Sequence, residues 1–277
     1  TPSLLKLFSV PYYNKFIDTY PNLYSLSKAS LDDLMLLWSG LGYYRRIKNI
    51  YLASQIISDR FDNKFPKDYE DILSLPGIGK TTASAISTFS GYSNRAILDG
   101  NVKRILRRYY NISPEKNSKT EKILWDKSIF VTPSTKTSQF IQGMMDIGSL
   151  VCTRTKPNCR ICPLREINCL YKDENKLTTK TKKTVKKVIM YLLIIVNDHD
   201  QVYLEKIESG TLWENLYSGP FFYKKLNMES WLTEKNIFDA KMKYKFETTH
   251  RVTNKNIRII NHVYFLKNDK KVSFSSE

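Results

Sequence analysis

The sequence has few histidines, prolines and glycines, and few acidic residues relative to basic ones. Its 277 residues include three His, ten Gly and ten Pro, and 27 Asp and Glu stand against 44 Lys and Arg. There is no signal-like hydrophobic N-terminus, and the longest apolar run, Val188 to Val196, is far shorter than the roughly 20 residues of a membrane helix. We expect a protein with no membrane partner, cytoplasmic in a bacterium or nuclear in a eukaryote.

The excess of basic residues gives a formal charge of +17 and a sequence pI near 9.5. Basic surfaces bind phosphate backbones by releasing counterions, so a polyanionic partner, nucleic acid above all, is the first inference. The 18 Tyr and 13 Phe exclude a disordered basic tail. The length predicts two domains.

Cysteine is confined to one short stretch. Cys152, Cys159, Cys162 and Cys169 are separated by six, two and six residues, and no other position holds a cysteine. Thiolates are soft ligands, so four of them so close together indicate one metal site, for zinc or for an iron–sulfur cluster. A disulfide pair is the alternative, although a chain of this length needs no such staple.

The pattern is helical up to about Cys169 and changes after it. We predict a helical domain over residues 1–170, with a metal loop at 152–169. A basic interdomain linker follows at 171–187, and a smaller α+β domain occupies 188–277. In that second domain, apolar and turn residues predict a hairpin over 188–205 and a further strand over 256–266.

Helical segments of the first domain are marked by caps and by apolar spacing. Ser30 and Asp33 have the spacing of a capping box, and Gly40 follows as a helix stop. Apolar residues recur at helical spacing after Asp99, and similar segments lie at the following positions: 45–58, 68–74, 81–90, 119–130 and 137–150.

A glycine-rich turn, Leu75–Thr82, separates two of these helical segments. Gly77 and Gly79 allow close backbone approach, and the N–H groups that begin the next helix can bind a phosphate oxygen, with Lys80 adding charge. This is the helix-hairpin-helix pattern of DNA-binding proteins. A plain helix–helix corner that needs glycine for its turn is the alternative.

Asp99 begins the run Asp99-Gly100-Asn101-Val102 ahead of a helical pattern. Aspartate is common as a helix N-cap, which is its structural interpretation. The carboxylate stays ionised at a helix N-terminus, and beside a glycosidic bond it would stabilise an oxocarbenium-like transition state. The two roles are compatible.

Five motifs taken in order resemble the adenine DNA glycosylases of the MutY type, within the endonuclease III or helix-hairpin-helix superfamily. The resemblance covers residues 10–165 and rests on these segments: Gly40-Leu41-Gly42-Tyr43-Tyr44-Arg45, Leu75-Pro76-Gly77-Ile78-Gly79, Leu98-Asp99-Gly100-Asn101-Val102, Met144-Met145-Asp146-Ile147-Gly148 and the Cys-x6-Cys-x2-Cys run.

The resemblance implies a mainly α glycosylase module with a [4Fe-4S] cluster on the four cysteines. It implies a monomer that removes adenine mispaired with 8-oxoguanine or guanine in double-stranded DNA, with the adenine flipped out of the stack. Asp99 would stabilise the sugar cation and Asn101 would position its neighbours, so these two are the catalytic residues that the resemblance implies.

The same resemblance assigns the DNA contacts. Tyr43 would wedge into the duplex beside Arg45, although an ordinary packed tyrosine is the alternative. Four residues of the hairpin would hold the DNA backbone: Gly77, Gly79, Lys80 and Thr81. A monovalent cation bound at the hairpin is a further candidate. Thr81 stands where the lyase-bearing members have a Schiff-base lysine, which implies a monofunctional glycosylase.

The second domain resembles the family's MutT-like (Nudix-type) domain. Leu212 and Trp213, with Thr249 and His250, are the implied lesion-recognition residues. A carboxylate-rich Nudix catalytic helix is missing from the sequence, so the domain should bind rather than hydrolyse. For His250 a structural role is the alternative.

The chain departs from the family pattern in two ways. The family's general acid, a Glu ahead of Leu-Gln-Gln-Thr, would precede Thr1, and the last cysteine spacing is six residues where five is usual. We therefore expect a sequence truncated at the N-terminus, and its end at Glu277 suggests truncation there too. The alternatives are a lesion-binding module without activity, an endonuclease III-like glycosylase and lyase, and a zinc-stabilised basic DNA-binding protein.

Overall fold

The computed structural model describes the following residues: 2–113, 115, 117–171, 185–208, 210–211, 213–235, 237, 241–252 and 255–266. The chain forms two compact units, Thr1–Lys180 and Thr181–Glu277. Most of the predicted linker, residues 172–184, lies outside the described residues. Within the described part of the chain, no helix combines the length and the apolar character that crossing a bilayer requires.

In its described residues, the first unit consists of helices and the turns and loops that connect them. Its α-helices are α1 (Pro2–Thr19), α2 (Leu23–Ser27), α3 (Leu31–Leu37), α4 (Arg45–Phe61), α5 (Tyr69–Ser74), α6 (Lys80–Phe89), α7 (Gly100–Tyr109), α8 (Ser118–Val131) and α9 (Thr137–Asp146). A π-helix (Ile147–Val151) continues α9, and two 3-10 turns follow (Cys159–Ile161 and Pro163–Arg165).

Side-chain caps fix where several of these helices begin. Ser30 accepts a hydrogen bond from the Asp33 N–H at 3.0 Å, which confirms the predicted cap of α3. Asp68 caps α5 and Asn117 caps α8 in the same way. Because each cap satisfies N–H groups that the helix itself leaves unpaired, the turn ahead of each helix is set by sequence.

The core of the first unit forms around α7. The predicted apolar face is confirmed, since Val102, Ile105 and Leu106 are at most 3% exposed. They pack against Leu124 of α8 and Ile141 of α9, which are also buried. Burying each such side chain contributes about 1.5–3 kcal/mol, so the position of α7 is strongly fixed.

The second unit is α+β. The elements are β1 (Lys186–Asn197), β2 (Glu205–Lys206), β3 (Tyr217–Ser218), β4 (Phe221–Phe222), α10 (Lys225–Glu234), β5 (Lys241–Val252) and β6 (Lys255–Leu266). A four-stranded sheet has the order β4-β1-β6-β5, and a smaller sheet pairs β2 with β3. Leu193 and Ile195 of β1 pack with Met228 of α10 to form the core of this unit.

The strands at 188–196 and 256–266 are confirmed, and the predicted hairpin is only partly formed. Asn197 donates through its backbone N–H to the Gln201 carbonyl, which closes the turn, but Val202 contributes only an isolated bridge. The main partner of β1 is β6, and the two run parallel. Sequence spacing gave no sign of this non-local pairing, or of strand β5.

Candidate active site and cysteine loop

The glycine-rich turn joins α5 to α6 as predicted. Gly77 has a φ of 78°, and a Cβ there would lie 2.8 Å from the Asn49 Cβ, so only glycine fits. Gly79 is the N-cap of α6, and among the described residues no side chain caps this helix and no atom lies within 4 Å of an added Cβ. The first N–H groups of α6 are therefore accessible to an anion.

The first two residues of α6 contact other parts of the unit. The Lys80 ammonium lies over the Trp125 ring, 4.0 Å from its centre. The Thr81 hydroxyl donates to the Leu98 carbonyl at 3.2 Å. Because Leu98 directly precedes Asp99, this bond links the hairpin to the predicted catalytic residue.

Asp99 is a half-buried N-cap of α7, as its structural interpretation predicts. Its Oδ1 accepts from the backbone N–H groups of Asn101 (3.0 Å) and Val102 (2.8 Å). In the part of the chain that is described, both cap bonds use Oδ1, and Oδ2 takes no part in the cap. On the preceding segment, the buried Ser128 hydroxyl donates to the Ile97 carbonyl at 2.6 Å. Ser128 and Thr81 thus hold the backbone that presents this carboxylate.

Asn101 connects the start of α7 to the π-helix. Its side chain packs against Gly148, where an added Cβ would lie 2.6 Å from the Asn101 Cβ. The Arg104 guanidinium donates to Asn101 Oδ1 at 2.9 Å, to the Gly148 carbonyl at 2.5 Å and to the Cys152 carbonyl at 2.8 Å. Burial lowers the pKa of Arg104. One side chain therefore bridges the active-site helix, the π-helix and the first cysteine.

All four cysteines line one cavity, together with apolar and aromatic side chains that include Ile105, Leu164 and Tyr171. Burial raises the pKa of both the Cys159 and the Cys169 thiol, and charge on the other cysteines raises both further. Among the described residues, no three His, Cys, Asp or Glu side chains are grouped closely enough to hold a single metal ion. The donor set is soft sulfur alone, which suits either zinc or an iron–sulfur cluster.

The buried Arg108 shapes this loop. It donates to Cys152 Sγ (3.2 Å), to the Thr153 carbonyl (2.7 Å) and to the Arg154 carbonyl (3.2 Å). Its guanidinium also lies 4.9 Å from the centre of the Tyr171 ring. A buried cation of this kind lies close to the sulfur atoms and stabilises negative charge on them.

Tyr43 is presented on an exposed turn before α4. It directly follows Gly42, has a φ of 51°, and is 74% exposed. The Arg46 guanidinium lies 5.1 Å from its ring centre, and Arg45 is exposed beside it as the first residue of α4. An aromatic side chain held outward on strained backbone differs from the packed-tyrosine alternative.

In the second unit, two of the predicted lesion-recognition residues come together. The rings of Trp213 and His250 are 6.2 Å apart, and Trp213 has a φ of 67°. His250 and Thr249 are exposed on strand β5. Leu212 lies outside the described residues.

Sequence reasoning missed several residues of the site. Arg104 and Arg108 are spaced i, i+4 on α7. In a chain with so many basic residues, this spacing does not distinguish structural arginines from arginines that bind DNA. Ser128 and Trp125 belong to no motif, because their roles come from contacts with distant segments. Gly148 ends one of the five motifs, but its contact with Asn101 could not be seen from the sequence. Helical spacing, which puts Trp125 and Ser128 on one face of α8, was the signal available.

Comparison with known proteins defines the class. Residues 8–128 match the family described as HhH-GPD superfamily base excision DNA repair protein. A thermostable thymine-DNA glycosylase is 25% identical, with a TM-score of 0.54 over 58% of this chain and 75% of that one. An endonuclease III from a non-covalent complex with DNA shares the fold at 19% identity, with a TM-score of 0.51 over 58% and 74% of the two chains.

Sequence comparison with curated proteins identifies the family within this class of DNA repair proteins. An adenine DNA glycosylase of Buchnera aphidicola subsp. Baizongia pistaciae is 36% identical over 95% of this chain and 77% of its own length. That of subsp. Acyrthosiphon pisum is 43% identical over 83% and 66%, and the human one is 30% identical over 57% and 29%. The chain belongs to the adenine DNA glycosylase family, as the motifs predicted.

Proposed function

We propose that the protein hydrolyses the N-glycosidic bond of adenine mispaired with 8-oxoguanine or guanine in double-stranded DNA. The observation that carries this proposal is the placement of Asp99. Its carboxylate is fixed at the start of α7, and the Thr81 bond to the Leu98 carbonyl ties it to the hairpin. A hairpin that grips a phosphate thus places a fixed anion near the sugar.

Asp99 acts on the sugar. Positive charge develops there as the glycosidic bond lengthens, and the ionised carboxylate stabilises it and orients the attacking water. Thr81 has no amine for a Schiff base, so strand cleavage by lyase chemistry is not expected. The departing adenine needs a proton, and the 277 residues contain no Glu-Leu-Gln-Gln-Thr run to supply it in the family's manner.

The DNA contacts follow from the exposed groups. The open N–H groups after Gly79 and the Lys80 ammonium bind a backbone phosphate, with a monovalent cation as a further ligand of the hairpin carbonyls. Tyr43 inserts into the duplex beside the flipped adenine, and Arg45 contacts the backbone nearby. The protein acts on its DNA as a monomer.

The cysteine loop holds a [4Fe-4S] cluster. The proposal is supported by the four cysteines that line one cavity and by the resemblance of the Cys-x6-Cys-x2-Cys spacing to the cluster loop of the family. Cys152, Cys159, Cys162 and Cys169 would hold the cluster and so fix the loop, and the Arg108 guanidinium would offset part of the negative charge on their sulfur atoms. Anaerobically purified protein should be brown, absorb near 400 nm and contain iron and sulfide. Stoichiometric zinc without iron would refute this.

The second unit reads the lesion. The sequence of this unit resembles a MutT-like domain at the segments around Trp213 and His250, and the pair of rings offers an aromatic surface for a damaged base. Thr249, exposed next to His250, provides a hydroxyl for hydrogen bonding. We assign to this unit recognition of the 8-oxoguanine strand and no hydrolysis.

The test is product analysis on a duplex with adenine opposite 8-oxoguanine. The protein is assayed as the 277-residue chain and with the family's Glu-Leu-Gln-Gln-Thr segment joined ahead of Thr1. The extended protein should release adenine and leave an abasic site that breaks only after alkali. Breakage without alkali would indicate a lyase. Tight binding with no adenine release from either protein would favour the second candidate, a lesion-binding module.

A further inference from the structure

Trp125 has a contact that neither the fold nor the proposed chemistry explains. The Lys80 ammonium is 4.0 Å from its ring centre, closer than in the other lysine and aromatic pairs that the structure describes. Lys80 is exposed and begins α6, whereas Trp125 belongs to α8 and is half-buried. A cation at this distance is attracted by the negative face of the indole.

The indole is not free to follow the lysine. Trp125 packs against the core cluster that contains Ile97 and Leu98, and its neighbour Leu124 is 3% exposed. Ser128, on the same face of α8, is tied to the Ile97 carbonyl. The ring therefore has a fixed position relative to both the hairpin and the segment that presents Asp99.

An aromatic partner leaves the lysine charge available. Lys103 shows the contrast, because its ammonium is 2.5 Å from the Glu121 carboxylate, which neutralises it. The indole face attracts the Lys80 ammonium without cancelling its charge, and the N–H donors on the outer side remain free for a phosphate. The Lys80 side chain is then already ordered in the free protein, so DNA binding does not carry the entropy cost of ordering it.

We propose that Trp125 is a positioning residue for Lys80, which it holds beside the N–H groups of α6 so that together they bind a DNA phosphate. The inference rests on the proposed function, in which the hairpin grips the DNA backbone. It adds a residue outside the hairpin to the determinants of DNA affinity. One face of α8 then makes two contacts. Trp125 holds Lys80, which binds the phosphate, and Ser128 holds the segment that precedes Asp99.

The test is a double-mutant cycle on DNA affinity. Binding to a short, fully matched duplex is followed by fluorescence anisotropy at several salt concentrations, for Trp125→Leu, Trp125→Phe, Lys80→Gln and the Trp125→Leu, Lys80→Gln pair. Lys122→Gln, which removes an exposed lysine of α8, is the charge control. Trp125→Leu should weaken binding roughly two- to fivefold and Trp125→Phe less. In the Lys80→Gln background, Trp125→Leu should change nothing further.

The outcomes separate the inference from the function on which it rests. If Lys80→Gln binds like Lys122→Gln, with the same salt dependence, the phosphate grip itself is wrong. If Lys80→Gln weakens binding but Trp125→Leu is neutral, or is equally harmful with and without Lys80, the positioning role is wrong. Thermal unfolding and the helical circular dichroism signal check that each variant folds.

A second measurement covers the case in which Trp125→Leu does not fold. The four tryptophans are replaced by tryptophan analogues whose indole rings carry an increasing number of fluorine atoms. Fluorine weakens the attraction of the ring for a cation and largely keeps the shape of the side chain. Affinity should fall in order of fluorine content with Lys80 present and stay level in Lys80→Gln. The same decline in both proteins would overturn the inference.

Discussion

Replacing Gly148 by alanine should damage the site through one methyl group. The added Cβ would lie 2.6 Å from the Asn101 Cβ, 3.0 Å from its Cγ and 3.4 Å from its Cα. Asn101 cannot withdraw easily, since Arg104 holds both its Oδ1 and the Gly148 carbonyl. Overpacking of this kind costs about 1–3 kcal/mol. For a unit of this size each kcal/mol lowers the Tm by roughly 2–4 °C.

Gly143 provides the matched control. It lies in helix α9, and an added Cβ would have no atom of the described residues outside its own helix within 4 Å. Gly143→Ala should stabilise by about 0.5–1 kcal/mol, because alanine has the higher helix propensity. The assay is thermal unfolding followed by the far-ultraviolet helical signal, with adenine release measured in parallel. Equal effects of the two substitutions, or a Gly148→Ala protein of wild-type stability and activity, would refute the packing argument.

Three further predictions concern other contacts. Thr81→Val removes the bond to the Leu98 carbonyl and should cost about 0.5–1.5 kcal/mol and lower kcat, while Thr81→Ser should keep both, by unfolding and single-turnover assays. Arg108→Met leaves the carbonyls of the cysteine loop unpaired and should cost about 1–3 kcal/mol, with faster iron loss on dialysis. Burial, with charge from Lys245 and Lys225, lowers the pKa of His262, whose ring nitrogens have no described partner. The unfolded chain then binds the extra proton first, so stability of the second unit should fall as the pH drops below about 6.5, and His262→Leu should remove this pH dependence.

Local sequence was enough for the elements that carry their own caps and turns. Ser30, Asp99 and the Gly77 turn were recognised because the physical reason for each lies within a few neighbouring residues. The side chain of Asp99 binds N–H groups two and three positions ahead. Short-range signals of this kind do not depend on the rest of the fold.

Contacts between distant segments could not be found in this way. The Ser128 bond to the Ile97 carbonyl spans 31 residues, and the Arg104 bond to the Cys152 carbonyl spans 48. In the second unit, the parallel pairing of β1 with β6 joins segments about seventy residues apart in the printed sequence. The sequence around one residue or strand of such a pair gives no information about its distant partner. The residue type therefore predicted only charge or polarity, and the contact itself could not be predicted.

The proposed chemistry depends on an ionised carboxylate at position 99 that stabilises the sugar of the flipped adenosine. Asp99→Asn tests it cleanly, because asparagine is about as good an N-cap and should keep α7 intact. Single-turnover adenine release by the protein that carries the glutamate segment should fall at least roughly a hundredfold, with Tm and DNA affinity nearly unchanged. Wild-type rates from a folded Asp99→Asn protein would contradict the account.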